Sequence, residues 1–261
     1  MKITQIRNAT VKIEYAGKTF LIDPWLMPAG QLGTFEGQPF KTIKPEHDKI
    51  AMPVNPLPFP LEQVLSGIDS FIVTHVHPDH LDMTPEGKPR SMIPKDKPLF
   101  VQRSEDAFFF IEAGFQDVTV MYENSQYGGV RLIPTAARHG TKIPCGPACG
   151  VLFRAPGEKT LYVAGDTIFY DEVAAVLEKY HPEVIILNAC GATLKYFGRL
   201  IMDAHDVLAV HKAAPYAKII ISHMDNVAHA TIDRAGMRKF VSENKMEKDA
   251  LIPEDGETLE F

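Results

Sequence analysis

A chain of 261 residues, 45% apolar and 23% charged, holds enough material for one large α/β domain and has none of the bias of a disordered or fibrous protein. A formal net charge of −6 argues against a protein that grips a nucleic-acid backbone. No apolar run approaches the roughly 20 residues that span a bilayer, and the opening "MKITQIRNATVKIEY" lacks a signal-peptide h-region. Three cysteines, Cys145, Cys149 and Cys190, cannot all pair within the chain, so a reducing cytoplasm is the expected location.

In chain order, alternating residues predict strands over 2–7, 10–15 and 18–22, with Ala16-Gly17 as the turn between the last two. Residues 24–60 are rich in proline and glycine and show no periodicity; such a long loop in a compact domain tends to be a lid or a binding segment. A short helix over 61–66 and a buried strand over 70–74 follow, then a strand at 99–102, a helix at 104–113 stopped by Gly114, and a strand at 118–122. Strands are expected at 130–137, 150–154, 160–164, 184–187 and 218–222. Helices are expected at 170–180, at 204–213 capped by Asp203, and at 232–243 capped by Thr231. The alternation predicts one α/β domain over 1–261, with helices packed on sheets and no internal repeat.

Metal-competent side chains fall where those strands stop. His75 follows "SFIVT", His139 follows "VRLIPTAAR", Asp166 follows "TLYVAG" and His223 follows "KIIIS". Strand ends are rigid and adjacent in space, so residues distant in sequence can converge there. Within "THVHPDHLDM", His75 and His77 point to one side of an extended segment, while Pro78 turns the chain and gives Asp79 and His80 a different direction. The pattern therefore predicts a three-nitrogen site from His75, His77 and His139, and a mixed site from Asp79, His80 and His223, with Asp166 bridging the two. Imidazole plus carboxylate suits zinc first, with manganese or iron as alternatives, and disfavours magnesium and calcium. Positions left open to water and substrate mark a catalytic site rather than a closed structural one.

These motifs resemble the metallo-β-lactamase superfamily. "THVHPDHLD" is similar to its T-H-x-H-x-D-H signature, "ARHG" to its isolated histidine, "AGDT" to its G-D-[ST] motif and "IISH" to its last ligand. "ATVKIEYAGKTFLIDPW" and "MDAHDVLAVHKAAPYAKIIISHMD" resemble the branch that contains N-acyl phosphatidylethanolamine phospholipase D and ascorbate-6-phosphate lactonase. The resemblance implies a four-layer αβ/βα sandwich with a dinuclear site between the sheet edges, and Asp23 as a support for the ligands. It covers most of the chain but not residues 24–60, and Asn8 stands where many members carry His. His77 occupies the position at which the flavodiiron oxygen reductases carry Glu, which favours hydrolysis over redox chemistry.

The expected activity is hydrolysis of a small ester, lactone or phosphodiester by a hydroxide bridging two metals. The alternatives are a nuclease or cyclic-nucleotide phosphodiesterase on the same fold, or a metal-binding protein without turnover. Small-molecule substrates are expected and nucleic acid is not; the sequence is compatible with an oligomer. Asp79 is expected mainly as a ligand that can also guide a proton, and His205, in the first turn of its helix, is a candidate substrate contact. His211 reads as a helix-surface histidine; His229, in the loop six residues beyond His223, could line the pocket but reads more readily as a surface residue, and His47 and His181 carry no assigned role. The cysteines read as small buried thiols, "EDAFFFIEAG" as a core stripe and not a membrane anchor, and Trp25 equally as pocket wall or core.

Overall fold

The computed structural model describes residues 1–90 and 92–261. Two seven-stranded sheets face each other. The first runs edge to edge through Thr258–Glu260, Lys2–Arg7, Thr10–Tyr15, Lys18–Ile22, Ser70–Val73, Leu99–Val101 and Val118–Val120. The second runs through Ala250–Leu251, Lys218–Ser222, Val184–Asn188, Leu161–Val163, Cys149–Arg154, Val130–Ala136 and Gln126–Tyr127. The sheets share one plan. In each, antiparallel pairing among the strands of one half gives way to parallel pairing in the other.

The apolar runs are continuous because both faces of these strands are covered. Phe20, Ile22 and Ile72 of the first sheet pack between the sheets against Val151, Val163, Ile186 and Ile220 of the second. Alternate residues Leu21, Phe71 and Val73 point outward and meet Leu61–Leu65 and Ser104–Glu112. On the far side, Ile185, Leu187, Ile219 and Ile221 pack under the helices Asp171–Tyr180, Ala204–Ala213 and Arg234–Glu243. The order is helix, sheet, sheet, helix: the four-layer α/β sandwich expected.

Several boundaries differ from expectation for local reasons. Asp203 does cap its helix, accepting from the His205 and Asp206 amides. The last helix begins at Arg234 and is capped by Asp233, whose carboxylate accepts from Gly236 N; Thr231 instead donates its hydroxyl to Gly191 O. The edge strands Ala250–Leu251 and Thr258–Glu260 are too short to show a period in sequence. The 104–113 segment is only partly a core stripe, with Phe110 buried but Phe108 64% exposed. Among the described residues, no helix is long and apolar enough to cross a membrane.

Residues 24–60 are not a bare loop. Phe40–Lys41 pairs with Thr193–Leu194, which also pairs with Gly198–Arg199, and Pro45–Lys49 forms a 3₁₀ turn. Buried Arg7 holds both ends of the segment, donating to Trp25 O at 2.6 Å, Met27 O at 2.9 Å and Asn55 O at 3.3 Å. Asp82, just past the histidine cluster, accepts from the Leu26 and Met27 amides. Trp25 is fully buried in the core beneath the helices and is absent from the cavity wall.

Candidate metal centre

The parallel strands of both sheets end on the same rim of the sandwich, and the polar residues beyond their ends meet there. Lys18–Ile22 delivers Asp23, and Ser70–Val73 delivers the segment from His75 to His80. Leu161–Val163 delivers Asp166, and Lys218–Ser222 delivers His223. Asn8, Asp23 and His223 have φ of 52°, 46° and 67°. Left-handed backbone at non-glycine residues is disfavoured and tends to collect at functional sites. Here it accompanies the sharp turns at the strand ends.

Among the described residues, three groups have donor atoms within 4.8 Å of one another: His75, His77 and His139; Asp79, His80 and His223; and Asp23, His75 and His80. Asp166 lies among them. Its Oδ2 is 3.2 Å from His80 Nε2, 3.7 Å from His75 Nε2 and 3.8 Å from His139 Nε2, while Oδ1 is 3.9 Å from His223 Nε2. Asp23 belongs behind the ligands, because its carboxylate is already engaged. It accepts from Thr74 N and Thr74 Oγ1, both at 2.7 Å, and from His80 Nδ1 at 2.8 Å.

The donor set fits divalent cations. Ring nitrogens face each other at 2.9 Å between His75 and His77, 3.3 Å between His77 and His139, and 3.1 Å between His80 and His223. A tetrahedral ion with metal–nitrogen bonds near 2.05 Å sets neighbouring donors about 3.3 Å apart. Outward nitrogens of three of these rings also meet partners, and where the partner is an oxygen the bond fixes the tautomer with its lone pair inward. His80 Nδ1 donates to Asp23, His139 Nδ1 donates to Leu200 O at 3.1 Å, and His223 Nδ1 lies 3.5 Å from Cys190 Sγ. Asn8, in place of the histidine common in the resembling branch, donates to Asp79 O at 3.0 Å and lies 3.3 Å from His223 Nε2.

Electrostatics favour neutral His75, His77 and His223 and ionised Asp79 and Asp166. Burial, reinforced by the neighbouring imidazoles, pushes His75 well below its ordinary range and His77 down to about 4. Burial would raise Asp79 and Asp166, but the surrounding histidines outweigh it and hold both well below the usual carboxylate range. His80 is the exception: burial disfavours its charged form, yet Asp166 and Asp23 together raise it.

A cavity of about 290 Å³ opens over this centre. His77, Asp79, His139, Asp166 and His223 form its polar floor. Phe35 and Phe40 from the 24–60 segment, with Pro78, Ala192 and Leu200, supply apolar walls. Among the described residues, no lysine or arginine lines the cavity. All seven residues expected at the site come together. His205 does not: it is exposed, its ring edge-on to Phe240 at 5.3 Å, because the first turn of its helix faces the helix Arg234–Glu243. The expectation of His205 as a substrate contact is therefore corrected.

Of the two readings open for His229, the structure takes the pocket over the surface: it is buried and lines the cavity. Nothing periodic in "DNVAHATID" signals this, and the same holds for Phe35 and Phe40. Cys149 and Cys190 are buried as expected, whereas Cys145 is half-buried and lines the cavity. His211 lies 3.7 Å from Asp249, away from the centre.

Comparison with known proteins agrees with this geometry. A family model described as a beta-lactamase superfamily domain matches residues 18–224. A UPF0173 protein of Bacillus subtilis (strain 168), YddR, is 39% identical over the whole of both chains. A solved structure from Veillonella parvula, described as a possible metal-dependent hydrolase, is 36% identical with a TM-score of 0.91, covering 100% of this chain and 99% of that one. The solved isothiocyanate hydrolase from Delia radicum gut bacteria is 35% identical with a TM-score of 0.90, at the same coverage.

Proposed function

The chain belongs to the beta-lactamase superfamily and is a metal-dependent hydrolase, and from that premise we propose that it uses a dinuclear centre to hydrolyse small, neutral, largely apolar electrophiles, isothiocyanates first among them. In this reading His75, His77 and His139 hold one cation and Asp79, His80 and His223 the other, with Asp166 between. Zinc is the preferred ion, with manganese or iron as alternatives. The whole chain acts as one domain, and its three free cysteines suit a reducing cytoplasm.

The observation that carries the substrate class is the cavity: Phe35, Phe40, Ala192 and Leu200 stand over a polar floor without a lysine or arginine. A phosphodiester, with its permanent negative charge, would find no cationic side chain there, so phosphodiesters fall behind neutral esters and lactones. Isothiocyanates share the neutral, apolar character, and a hydrolase of that class is similar to this chain along its full length.

When bound, two divalent cations supply an acidified water at neutral pH and a Lewis acid for the heteroatom on which charge develops. The chain's own residues set the geometry. Asp23 orients His80 and Thr74, Leu200 O orients His139, and Asn188 fixes Asp166 by donating to Oδ1 at 2.8 Å. Asp79 is a ligand whose free oxygen can guide a proton. Phe35 and Phe40 receive the apolar body of the substrate and exclude bulk water. The overall reaction on an isothiocyanate is R–N=C=S + H2O → R–NH2 + O=C=S.

The test joins elemental analysis to turnover. Purified protein is expected to hold close to two metal ions per chain and to release amine from allyl isothiocyanate. One ion per chain at saturation would refute the dinuclear reading. Turnover confined to bis-p-nitrophenyl phosphate would refute the substrate class.

A further inference from the structure

Asn8 sits at the seam between the two sheets, and the hydrolytic reading gives it no task. It follows the strand Lys2–Arg7 of the first sheet and is fully buried, with φ of 52°. Its carbonyl reaches the second sheet, accepting from Ser222 Oγ at 2.7 Å and from His223 N at 3.1 Å, and Gln5 Nε2 donates to the same oxygen at 2.8 Å. Its side chain turns to the candidate ligands: Nδ2 donates to Asp79 O at 3.0 Å and lies 3.3 Å from His223 Nε2. One residue thus touches two of the three members of the mixed group Asp79, His80 and His223, one from each sheet.

The amide has only one workable orientation. An oxygen in place of Nδ2 would set two acceptors against each other at Asp79 O, so the NH2 group is the end that faces Asp79 and His223. The other end, Oδ1, is buried without a hydrogen-bond partner. A side chain that only filled the seam would avoid that cost, since native structures hold few such atoms. The donor is what the position retains.

That donor bears on His223. His80 and His139 have oxygen partners behind the ring, Asp23 and Leu200 O, which put the proton on the outward nitrogen. Behind His223 the partner is the Cys190 thiol, 3.5 Å from Nδ1, and sulfur is a weak acceptor. In front of it is the Asn8 NH2. With the proton on Nε2, two N–H groups would face each other across 3.3 Å; with the proton on Nδ1, Nε2 keeps its lone pair. The opposing pull comes from the Asp79 carboxylate, which at 3.5 Å is farther from Nε2 than the Asn8 donor. A lone pair on Nε2 is the form that can ligate a cation. We propose that Asn8 is a positioning residue for the mixed site: it anchors the backbone of Asp79, holds His223 in the tautomer that can take a cation, and fixes the two against each other across the sheets. Among the described residues, no hydrogen bond joins Asn8 to His75, His77 or His139, so its effect falls on one of the two cations.

This assignment rests on the dinuclear reading, and the experiment separates the two. Asn8→Gly suits the left-handed backbone and keeps the carbonyl contacts, so it removes the amide alone. Zinc is titrated into metal-free protein against a competing chelator, and bound metal is counted by elemental analysis. The wild-type protein is expected to take up two ions per chain. In the Gly variant one of them is expected to weaken by roughly 10- to 100-fold, with the other within about twofold and circular dichroism native. Nitrogen NMR of the metal-free wild-type protein is expected to place the His223 proton on Nδ1, a readout that needs no variant to fold. Two ions of unchanged affinity in the Gly variant overturn the assignment, as do two ions weakened alike, which would mean that Asn8 serves only the cohesion of the sheets. A His223 proton found on Nε2 overturns it as well. A wild-type protein that saturates at one ion overturns the dinuclear reading and the assignment together; a wild-type protein with two ions and an unaltered Gly variant overturns the assignment alone.

Discussion

The floor of the cavity is made of strand ends, and its roof of a proline-rich segment tied down at a few points. On the floor, the candidate ligands stand at or just beyond buried strands whose registers are set on both faces, and polar partners such as Asp23, Asn188 and Leu200 O hold them from behind. The roof presents Phe35 and Phe40 from a stretch whose regular structure is one two-residue strand and a 3₁₀ turn, with Arg7 pinning its two ends. The floor has little freedom to vary without losing its donors. The roof can change its side chains while the ends stay fixed. In the proposed function, chemistry and selectivity therefore fall to parts of the chain with different mechanical constraints.

Substitutions on the floor are expected to have the largest effect. Asp166→Ala or His77→Ala should lower kcat/KM by ~10³-fold or more, several kcal/mol of barrier, while circular dichroism remains native. Undiminished hydrolysis by either variant would remove that residue from the centre. One layer back, Asp23→Asn leaves the ligands in place but weakens the hold on His80, and a loss of about 10- to 100-fold in metal affinity is expected by titration. A wild-type affinity would mean that the buried carboxylate serves only Thr74.

The roof should respond differently. Phe40→Ala removes apolar wall, where full burial of such a side chain is worth roughly 1.5–3 kcal/mol. KM for an apolar substrate is expected to rise by about tenfold or more, with kcat and metal content nearly constant. A fall in kcat alone would show that the roof takes part in the chemistry.

The smallest effect is expected where floor and roof join. Burial raises Asp82 to about 6, although the Leu26 and Met27 amides and Arg7 oppose the shift. Its unfolded value lies near about 3.9. Between those two values the folded state binds the proton more tightly, so stability falls as pH rises through the window, and the cost is fully present above it. Asp82→Asn keeps an acceptor for the two amides and removes the titration. Relative to this variant, the wild-type protein is expected to lose on the order of 1–3 kcal/mol between pH 4 and 7 in denaturant unfolding. Parallel pH profiles would contradict the assignment.

The floor was readable in the amino-acid sequence because two periodicities coincide there: apolar runs mark buried strands, and His or Asp stands where each run stops. His75, His139, Asp166 and His223 all follow that pattern. The roof was not readable, because Phe35 and Phe40 sit in a segment without period, and both their contact with His229 and the pairing of Phe40 with Leu194 join residues far apart in sequence. His205 misled for a related reason. A helix N-terminus at the rim suggested a substrate contact, but which way the first turn faces is decided by Phe240 on another helix.

The placement of the centre across two sheets ties cation binding to the cohesion of the molecule. Asp79, His75, His77 and His80 come from one sheet, and His139, Asp166 and His223 from the other. A cation held by these residues would act as a rivet through the sandwich, binding the assembled halves and not the separated ones, and mass action would then add its binding energy to resistance against unfolding. Metal supply would therefore govern the lifetime of the protein as well as its rate: a molecule starved of ions would be the one that opens first to heat or a protease.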